Sequence, residues 1–176
     1  MKKTVFTGVG TAIITPMNAN GVDYEAFERL LEWQIAEGVN ALVVAGTTGE
    51  GSTLTDEEHK AIIKFAVDKI AGRVPVIAGT GSNNTKAVIE MNRKVEKLGV
   101  DGVLVVTPYY NKATQNGLIS HYSAVADVSD KPVILYNVPS RTGCNILPAT
   151  AAVLAEHFGE GDTSAFVKKM NEYVTK

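Results

Sequence analysis

Five apolar runs rich in valine and isoleucine recur along the chain, and they constrain its fold more than any other feature. They are GTAIITP (10–16), ALVVAG (41–46), VPVIAGTG (74–81), GVLVVTP (102–108) and PVILYNV (132–138). The runs are continuous rather than alternating, which is typical of strands buried on both faces of a parallel sheet. Their starts are roughly 30 residues apart, the length of one strand-and-helix unit.

Amphipathic segments follow these runs and complete five strand–helix units. Helices are predicted over 23–38, 55–72, 84–99, 116–130 and 147–157. Thr55 and Glu58 form a capping-box pattern at the start of the second helix, and Gly72 is a stop signal at its end. The apolar side predicted for the first helix carries Phe27, Leu30, Leu31, Trp33 and Ile35. Strands joined by helices imply right-handed crossovers and a parallel sheet.

Composition and charge exclude several classes of protein. The net charge is -2 at pH 7 and no basic stripe is present, which argues against nucleic acid as a partner. No apolar run approaches roughly 18 residues, so no membrane span is expected. The N-terminus lacks the apolar stretch of a signal peptide, and the single cysteine, Cys144, excludes an internal disulfide. The sequence therefore predicts a cytoplasmic protein that binds neither membranes nor nucleic acid.

Polar residues and glycines gather where the predicted strands end. In parallel α/β folds the functional site lies at the carboxyl ends of the strands. The segments at these ends are GTTGEG (46–51), GTGSNN (79–84), TPYYN (107–111) and YNVPSRTG (136–143). Threonine hydroxyls and glycine N–H groups bind carboxylates, Arg141 can hold a second carboxylate through two hydrogen bonds, and tyrosines can transfer protons. This combination indicates a site for a small anionic substrate.

Other interpretations of these residues stay open at the sequence level. The glycines of 46–51 can serve only to turn the chain, and Tyr109 and Tyr110 can pack at an interface. The segment 79–81 is a weak phosphate-loop signal, because the glycine pattern is incomplete and no Walker lysine follows it. His59, His121 and His157 show no metal-ligand spacing. His59 and His121 are expected to be solvated or at the edge of the core, and Cys144 is expected to be buried. No metal and no other cofactor is predicted.

Several motifs in a fixed order resemble the dihydrodipicolinate synthase family. They are GTAIITPM, GTTGEGSTL, PVIAGTGSNNT, VTPYYN and YNVPSRTG, and the resemblance runs from about residue 5 to residue 157. The family belongs to the pyruvate-dependent aldolase superfamily, which includes N-acetylneuraminate lyase. The resemblance implies a (β/α)8 barrel with a helical C-terminal region. It also implies a lyase that condenses pyruvate with aspartate semialdehyde in lysine biosynthesis, through a Schiff base.

The same resemblance implies a role for five residues of this chain. Thr48 and its neighbouring backbone would hold the pyruvate carboxylate. Thr47, Tyr136 and Tyr110 would form a proton relay in which Tyr110 reaches across a dimer interface. Arg141 would bind the carboxylate of the semialdehyde.

One family feature, the lysine that forms the Schiff base on the sixth strand, has no counterpart in the sequence. Spacing puts that position at Ser164, and the nearby Lys168 and Lys169 lie on the polar side of a predicted helix. An exposed lysine is a poor nucleophile at neutral pH. We therefore expect a synthase-like protein with impaired Schiff-base chemistry. The alternative is a truncated or engineered half-barrel scaffold that has no catalytic activity and binds small carboxylates.

Five units are too few to close an eight-stranded barrel in the usual way. The expected fold is a partial barrel or open parallel sheet formed by residues 1–157, and the alternative is a doubly wound, flavodoxin-like sheet. Residues 158–176 are expected to form an amphipathic helix that packs on the same domain, with Phe166, Val167, Met170, Tyr173 and Val174 on its apolar side. Because an open sheet exposes its edge strands, a homo-oligomer is also expected.

Overall fold

An open, five-stranded parallel sheet forms the centre of the computed structural model, which describes residues 4–157. Its strands are β1 (Gly10–Ala12), β4 (Ala41–Val44), β5 (Val76–Gly79), β6 (Gly102–Val106) and β7 (Val133–Tyr136). Each lies within one of the five apolar runs, so the predicted strands are confirmed. An antiparallel hairpin of two short strands, β2 (Met17–Asn18) and β3 (Gly21–Val22), follows β1 and was not predicted.

Helices alternate with the strands of the parallel sheet. They are α1 (Tyr24–Ala36), α2 (Asp56–Ile70), α3 (Thr85–Glu96), α4 (Gln115–Ala126), α5 (Pro139–Thr142) and α6 (Pro148–His157). The five predicted helices are confirmed, whereas the short α5 was not predicted. Both hydrogen bonds of the Thr55–Glu58 capping box are present. The helix predicted within 158–176 lies outside the described residues.

The order of the strands decides between the two fold classes. The sheet runs β1, β4, β5, β6, β7, and every neighbouring pair is parallel. The order follows the chain without a reversal, so right-handed crossovers place successive helices on the same face. A doubly wound sheet needs a reversal of strand order. The partial barrel is therefore confirmed, and the flavodoxin-like alternative is wrong.

Along each strand, the side chains point alternately toward the helices and toward the opposite, concave face of the sheet. Val44, Val103 and Val105 face the helices and belong to one buried core with Ile62, Ile63, Val88 and Leu118. The intervening residues, Val43, Leu104 and Val106, are only half-buried. No helix within residues 4–157 combines the length and the apolar character that a membrane span requires.

The exposure of four side chains can be compared with the sequence-based expectations. Trp33, predicted on the apolar side of α1, is 56% exposed, so that prediction is wrong. His59 and His121 are both buried, in contrast to the expected solvated or core-edge positions. Cys144 is buried, as predicted.

Candidate functional site

A cavity of about 490 Å³ opens at the carboxyl ends of the strands. It is lined by the loops that follow β4, β5, β6 and β7, together with side chains of α2 and α3. Its polar lining includes Thr47, Ser52, Asp56, His59, Thr80, Ser82, Glu90, Lys94, Tyr109, Tyr136 and Arg141. The position agrees with the rule that parallel α/β folds bind ligands at this end of the sheet.

The loop after β4 carries Thr47 and Thr48 on a tightly packed backbone. Thr15 donates a hydrogen bond of 2.7 Å from its hydroxyl to the Gly49 carbonyl, which fixes the loop against the end of β1. A Cβ added to Gly51 would lie 2.2 Å from the Ala45 carbonyl oxygen, so only glycine fits there. Both threonines are exposed on this fixed backbone. Thr47 lines the cavity, whereas Thr48 does not.

The loop after β5 approaches the neighbouring strand ends just as closely. A Cβ on Gly79 would lie 2.4 Å from the Ala45 carbonyl oxygen. The next residue, Thr80, lines the cavity, and its buried hydroxyl has no hydrogen-bond partner among residues 4–157. A buried hydroxyl without a protein partner is suited to bind a ligand or a water molecule.

The two tyrosines after β6 lie on a turn rather than in the strand, and they differ in exposure. Tyr109 lines the cavity, whereas the Tyr110 side chain is 88% exposed and lines instead a second cavity, which it shares with Tyr109 and Arg141. Tyr110 has a left-handed φ of 70°, which is uncommon for an aromatic residue. Its N–H donates to the Thr142 carbonyl at 3.3 Å, and the Asn111 side chain donates to the Asn83 carbonyl at 2.8 Å. These hydrogen bonds connect the turn to the loops on both sides of it.

The last two predicted site residues follow β7. Tyr136 is the final residue of that strand, is half-buried and lines the cavity. Arg141 lies on α5, which ends at Gly143 in a left-handed conformation with φ of 65°. The Arg141 side chain is exposed to the cavity, and no carboxylate within residues 4–157 pairs with it. Its guanidinium group is therefore available to a ligand.

The wall of the cavity formed by α2 and α3 is polar. Lys94 on α3 pairs with Asp56 on α2 at 3.2 Å, and Glu90 lies one turn before Lys94. His59 donates from Nε2 to the Gly79 carbonyl at 2.7 Å. Burial lowers the pKa of His59, although its backbone hydrogen bonds and the Asp56 carboxylate act in the opposite direction. His59 is therefore a neutral hydrogen-bond donor rather than a cation.

The structure thus brings Thr47, Tyr136 and Arg141 together in one cavity. Thr48 and Tyr110 do not line it, and Tyr110 shares a second cavity with Arg141. The chemical roles of all five remain predictions. The sequence did not indicate Glu90 and Lys94, because their positions on α3 look like an ordinary solvent-exposed helix face. Only the packing of α3 beside α2 places them at the cavity.

Comparisons with known proteins are consistent with this site. The sequence model of the Dihydrodipicolinate synthetase family matches residues 5–160. The 4-hydroxy-tetrahydrodipicolinate synthase of Acetivibrio thermocellus is 54% identical over 156 residues, which are 89% of this chain and 53% of that protein. The chain thus spans about half the length of the curated relatives it matches.

Solved structures of this kind have the same fold over the same part of the chain. The chloride-inhibited dihydrodipicolinate synthase of Acinetobacter baumannii, complexed with pyruvate, aligns with a TM-score of 0.84 at 49% identity, covering 87% of this chain and 53% of that one. A monomeric dihydrodipicolinate synthase variant aligns with a TM-score of 0.84 at 48% identity, covering 86% of this chain and 50% of that one. With a family match over most of its length and the same half-barrel fold, the chain belongs to the dihydrodipicolinate synthetase family.

Proposed function

We propose that the cavity binds pyruvate-like carboxylates as part of a 4-hydroxy-tetrahydrodipicolinate synthase site, which condenses pyruvate with aspartate semialdehyde in lysine biosynthesis. The observation that carries this proposal is the unpaired Arg141 guanidinium, which shares one cavity with Thr47 and Tyr136. A related enzyme of the same fold was solved with pyruvate. We place this activity in the cytoplasm on the basis of the sequence alone.

The proposed roles follow from the chemistry of each group. Thr48 and the N–H groups of its loop bind the pyruvate carboxylate, because hydroxyl and backbone donors stabilise an anion. Arg141 binds the second substrate's carboxylate through two parallel hydrogen bonds. Thr47, Tyr136 and Tyr110 transfer protons between substrate and solvent. Of these, Thr47 and Tyr136 already line the same cavity.

We further propose that the chain by itself does not form a Schiff base with pyruvate. The lysine that lines the cavity within the described residues is Lys94, and it is paired with Asp56 at 3.2 Å. An ammonium group in an ion pair has no free electron pair with which to attack a carbonyl. The described residues therefore contribute substrate binding and proton transfer, and the amine for the covalent step has to come from outside residues 4–157.

Ligand titration tests the binding part of this proposal. We expect pyruvate to raise the melting temperature in a concentration-dependent way, since a ligand that binds only the folded state stabilises it. Oxaloacetate carries a second carboxylate, so its binding should depend on Arg141. Arg141→Gln should weaken the binding of oxaloacetate about 10-fold or more, which is the loss expected for a charge-assisted hydrogen bond. Arg93→Gln is the matched control, because it makes the same substitution at an exposed residue of α3 that lines neither cavity beside Arg141.

Two results of this titration contradict the proposal. One is that neither carboxylate stabilises a folded protein at millimolar concentrations, which would favour the non-catalytic scaffold. The other is protection by nucleotides but not by pyruvate, which would favour a phosphate site in the glycine-rich loops.

Borohydride reduction in the presence of pyruvate tests the covalent part of the proposal. We expect an unchanged intact mass, and a reduced pyruvyl adduct on any lysine would show that the chain forms the Schiff base.

We also propose that Tyr110 enters the site of a second copy of the chain. Its side chain is 88% exposed, and its backbone, with a left-handed φ, is hydrogen-bonded to the loop after β7, so most of the ring surface is available to a second copy. We expect a dimer in sedimentation equilibrium and a weaker dimer for Tyr110→Ala. Tyr109→Phe, which keeps the ring at the adjacent position, is the control. A monomer at all accessible concentrations would exclude this role, and a monomeric variant is known among the relatives.

A further inference from the structure

The side chain of Asn137, the first residue after β7, closes the loop that carries Arg141. Its Oδ1 accepts a hydrogen bond of 3.1 Å from the N–H of Ile146, and its Nδ2 donates to Oδ1 of Asn145 at 2.8 Å. These bonds bring the two ends of residues 137–146 together, and α5 lies between them. We call this segment the Arg141 loop. Loops of this length whose ends lie close together pack as units and often have a function.

The far end of the Arg141 loop is fixed to α4 by Gln115, the first residue of that helix. Its Nε2 donates to the Asn145 carbonyl at 2.9 Å. Its Oε1 accepts from the N–H of Leu147 at 3.1 Å and from the Thr150 hydroxyl at 2.5 Å. The loop is therefore held to a helix by Gln115 and to the end of β7 by Asn137.

The interior of the Arg141 loop is hydrogen-bonded as well. The Thr142 hydroxyl donates to the Cys144 carbonyl at 2.9 Å, and the Thr142 carbonyl accepts from the N–H of Tyr110 at 3.3 Å. Arg141 precedes Thr142, its side chain is exposed, and no carboxylate within residues 4–157 pairs with it. The place of its guanidinium group therefore depends on the backbone of the loop rather than on an ion pair of its own.

Asn137 lines neither of the two cavities that Arg141 lines, so any effect on a ligand there passes through that arginine. A guanidinium group binds a carboxylate through two parallel hydrogen bonds, which requires that both groups are correctly placed. A displacement of about 1 Å can lower the efficiency of a site strongly. We propose that Asn137 is a positioning residue, which holds Arg141 where it binds the second carboxylate of a substrate and thereby favours dicarboxylates over pyruvate. This inference rests on the proposed function of Arg141.

Titration of Asn137→Ala with oxaloacetate and with pyruvate tests this role. We expect the affinity for oxaloacetate to fall about 5-fold or more, since a misplaced guanidinium group loses part of a charge-assisted hydrogen bond. The affinity for pyruvate, which lacks the second carboxylate, should stay within about 2-fold of that of the unchanged protein. Gln115→Ala removes the bonds at the other end of the loop and should show the same difference, so the test does not depend on one variant being stable. Asn116→Ala is the matched control, because Asn116 is exposed on α4 and lines neither cavity.

Hydrogen exchange tests the hold on the loop without any ligand. Asn137→Ala should speed exchange of the Ile146 amide about 10-fold or more, because this amide loses its acceptor. Asn137→Asp keeps an acceptor oxygen in the same place and should retain slow exchange. Unchanged exchange in Asn137→Ala would overturn the inference, whether or not a carboxylate binds.

The ligand results separate this inference from the proposed function. An unchanged affinity of Asn137→Ala for oxaloacetate, or an equal loss of affinity for both carboxylates, would contradict the positioning role alone. No effect of Arg141→Gln on oxaloacetate binding would contradict the proposed function, and the role of Asn137 with it.

Discussion

Gly79→Ala is expected to lower the melting temperature by about 6 °C or more, or to prevent folding altogether. The added Cβ would lie 2.4 Å from the Ala45 carbonyl oxygen and 2.6 Å from the Gly46 Cα. Both are backbone atoms at the end of β4, so no side-chain rotation relieves the overlap. One of the two paired strands must move, and the cost of such overpacking is about 3 kcal/mol or more.

Gly46→Ala is the matched control, because Gly46 lines the same cavity one strand away. Its added Cβ would lie 3.5 Å from the nearest Val43 carbon and 4.0 Å from a Leu104 carbon, which are ordinary contacts. We expect the free energy of unfolding to change by less than about 0.5 kcal/mol. Urea denaturation followed by circular dichroism measures both variants. Equal destabilisation of the two would contradict the close approach of β4 and β5 at Gly79.

This contrast between two glycines marks the limit of what the sequence predicts about the site. Both glycines stand at the end of an apolar run, and both match the expectation of a glycine-rich strand end. Only the close approach of the ends of β4 and β5 in three dimensions shows which of the two glycines tolerates a side chain. The same limit applies to Lys94, whose place in the cavity wall depends on the packing of α3 beside α2.

The parallel sheet, in contrast, was predictable because its signal is local. A strand covered on both faces must be apolar at every position, so each run shows its strand directly. The elements that were missed have almost no local pattern. The β2–β3 hairpin contains two residues in each strand, and α5 contains four residues that begin with Pro139 and read as a turn.

The site followed from the fold once the strands were placed. Parallel strands bring their carboxyl ends to one edge, so Thr47, Tyr136 and Arg141 meet although they are far apart in sequence. The exposure of the Tyr110 side chain could not be predicted from the order of the strands, because it depends on a turn with positive φ at Tyr110 and Lys112. The burial of His59 did not follow either, since its hydrogen bond to Gly79 joins elements that the sequence does not relate.

The sequence predicts both Phe27 and Trp33 on the apolar side of α1, and for Trp33 this prediction is wrong. Phe27→Ala and Trp33→Ala test this difference between the two residues. Phe27 is fully buried, and its ring stacks on Phe65 at 6.0 Å between centroids. We expect its loss to cost about 3–5 kcal/mol in the free energy of unfolding, as for other large-to-small changes in a core. Trp33 is 56% exposed, so its replacement should cost less than about 1 kcal/mol despite the larger ring.

The physical reason lies in the angle between the two residues. They are six positions apart on α1, which places Trp33 about 120° around the helix from Phe27. An apolar stripe that faces a sheet is centred on Phe27 and the equally buried Leu31, and Trp33 falls outside it. Urea denaturation compares the two variants directly. A similar loss for both would mean that the outer face of α1 is covered in solution, most simply by another copy of the chain beside the open edge of β1.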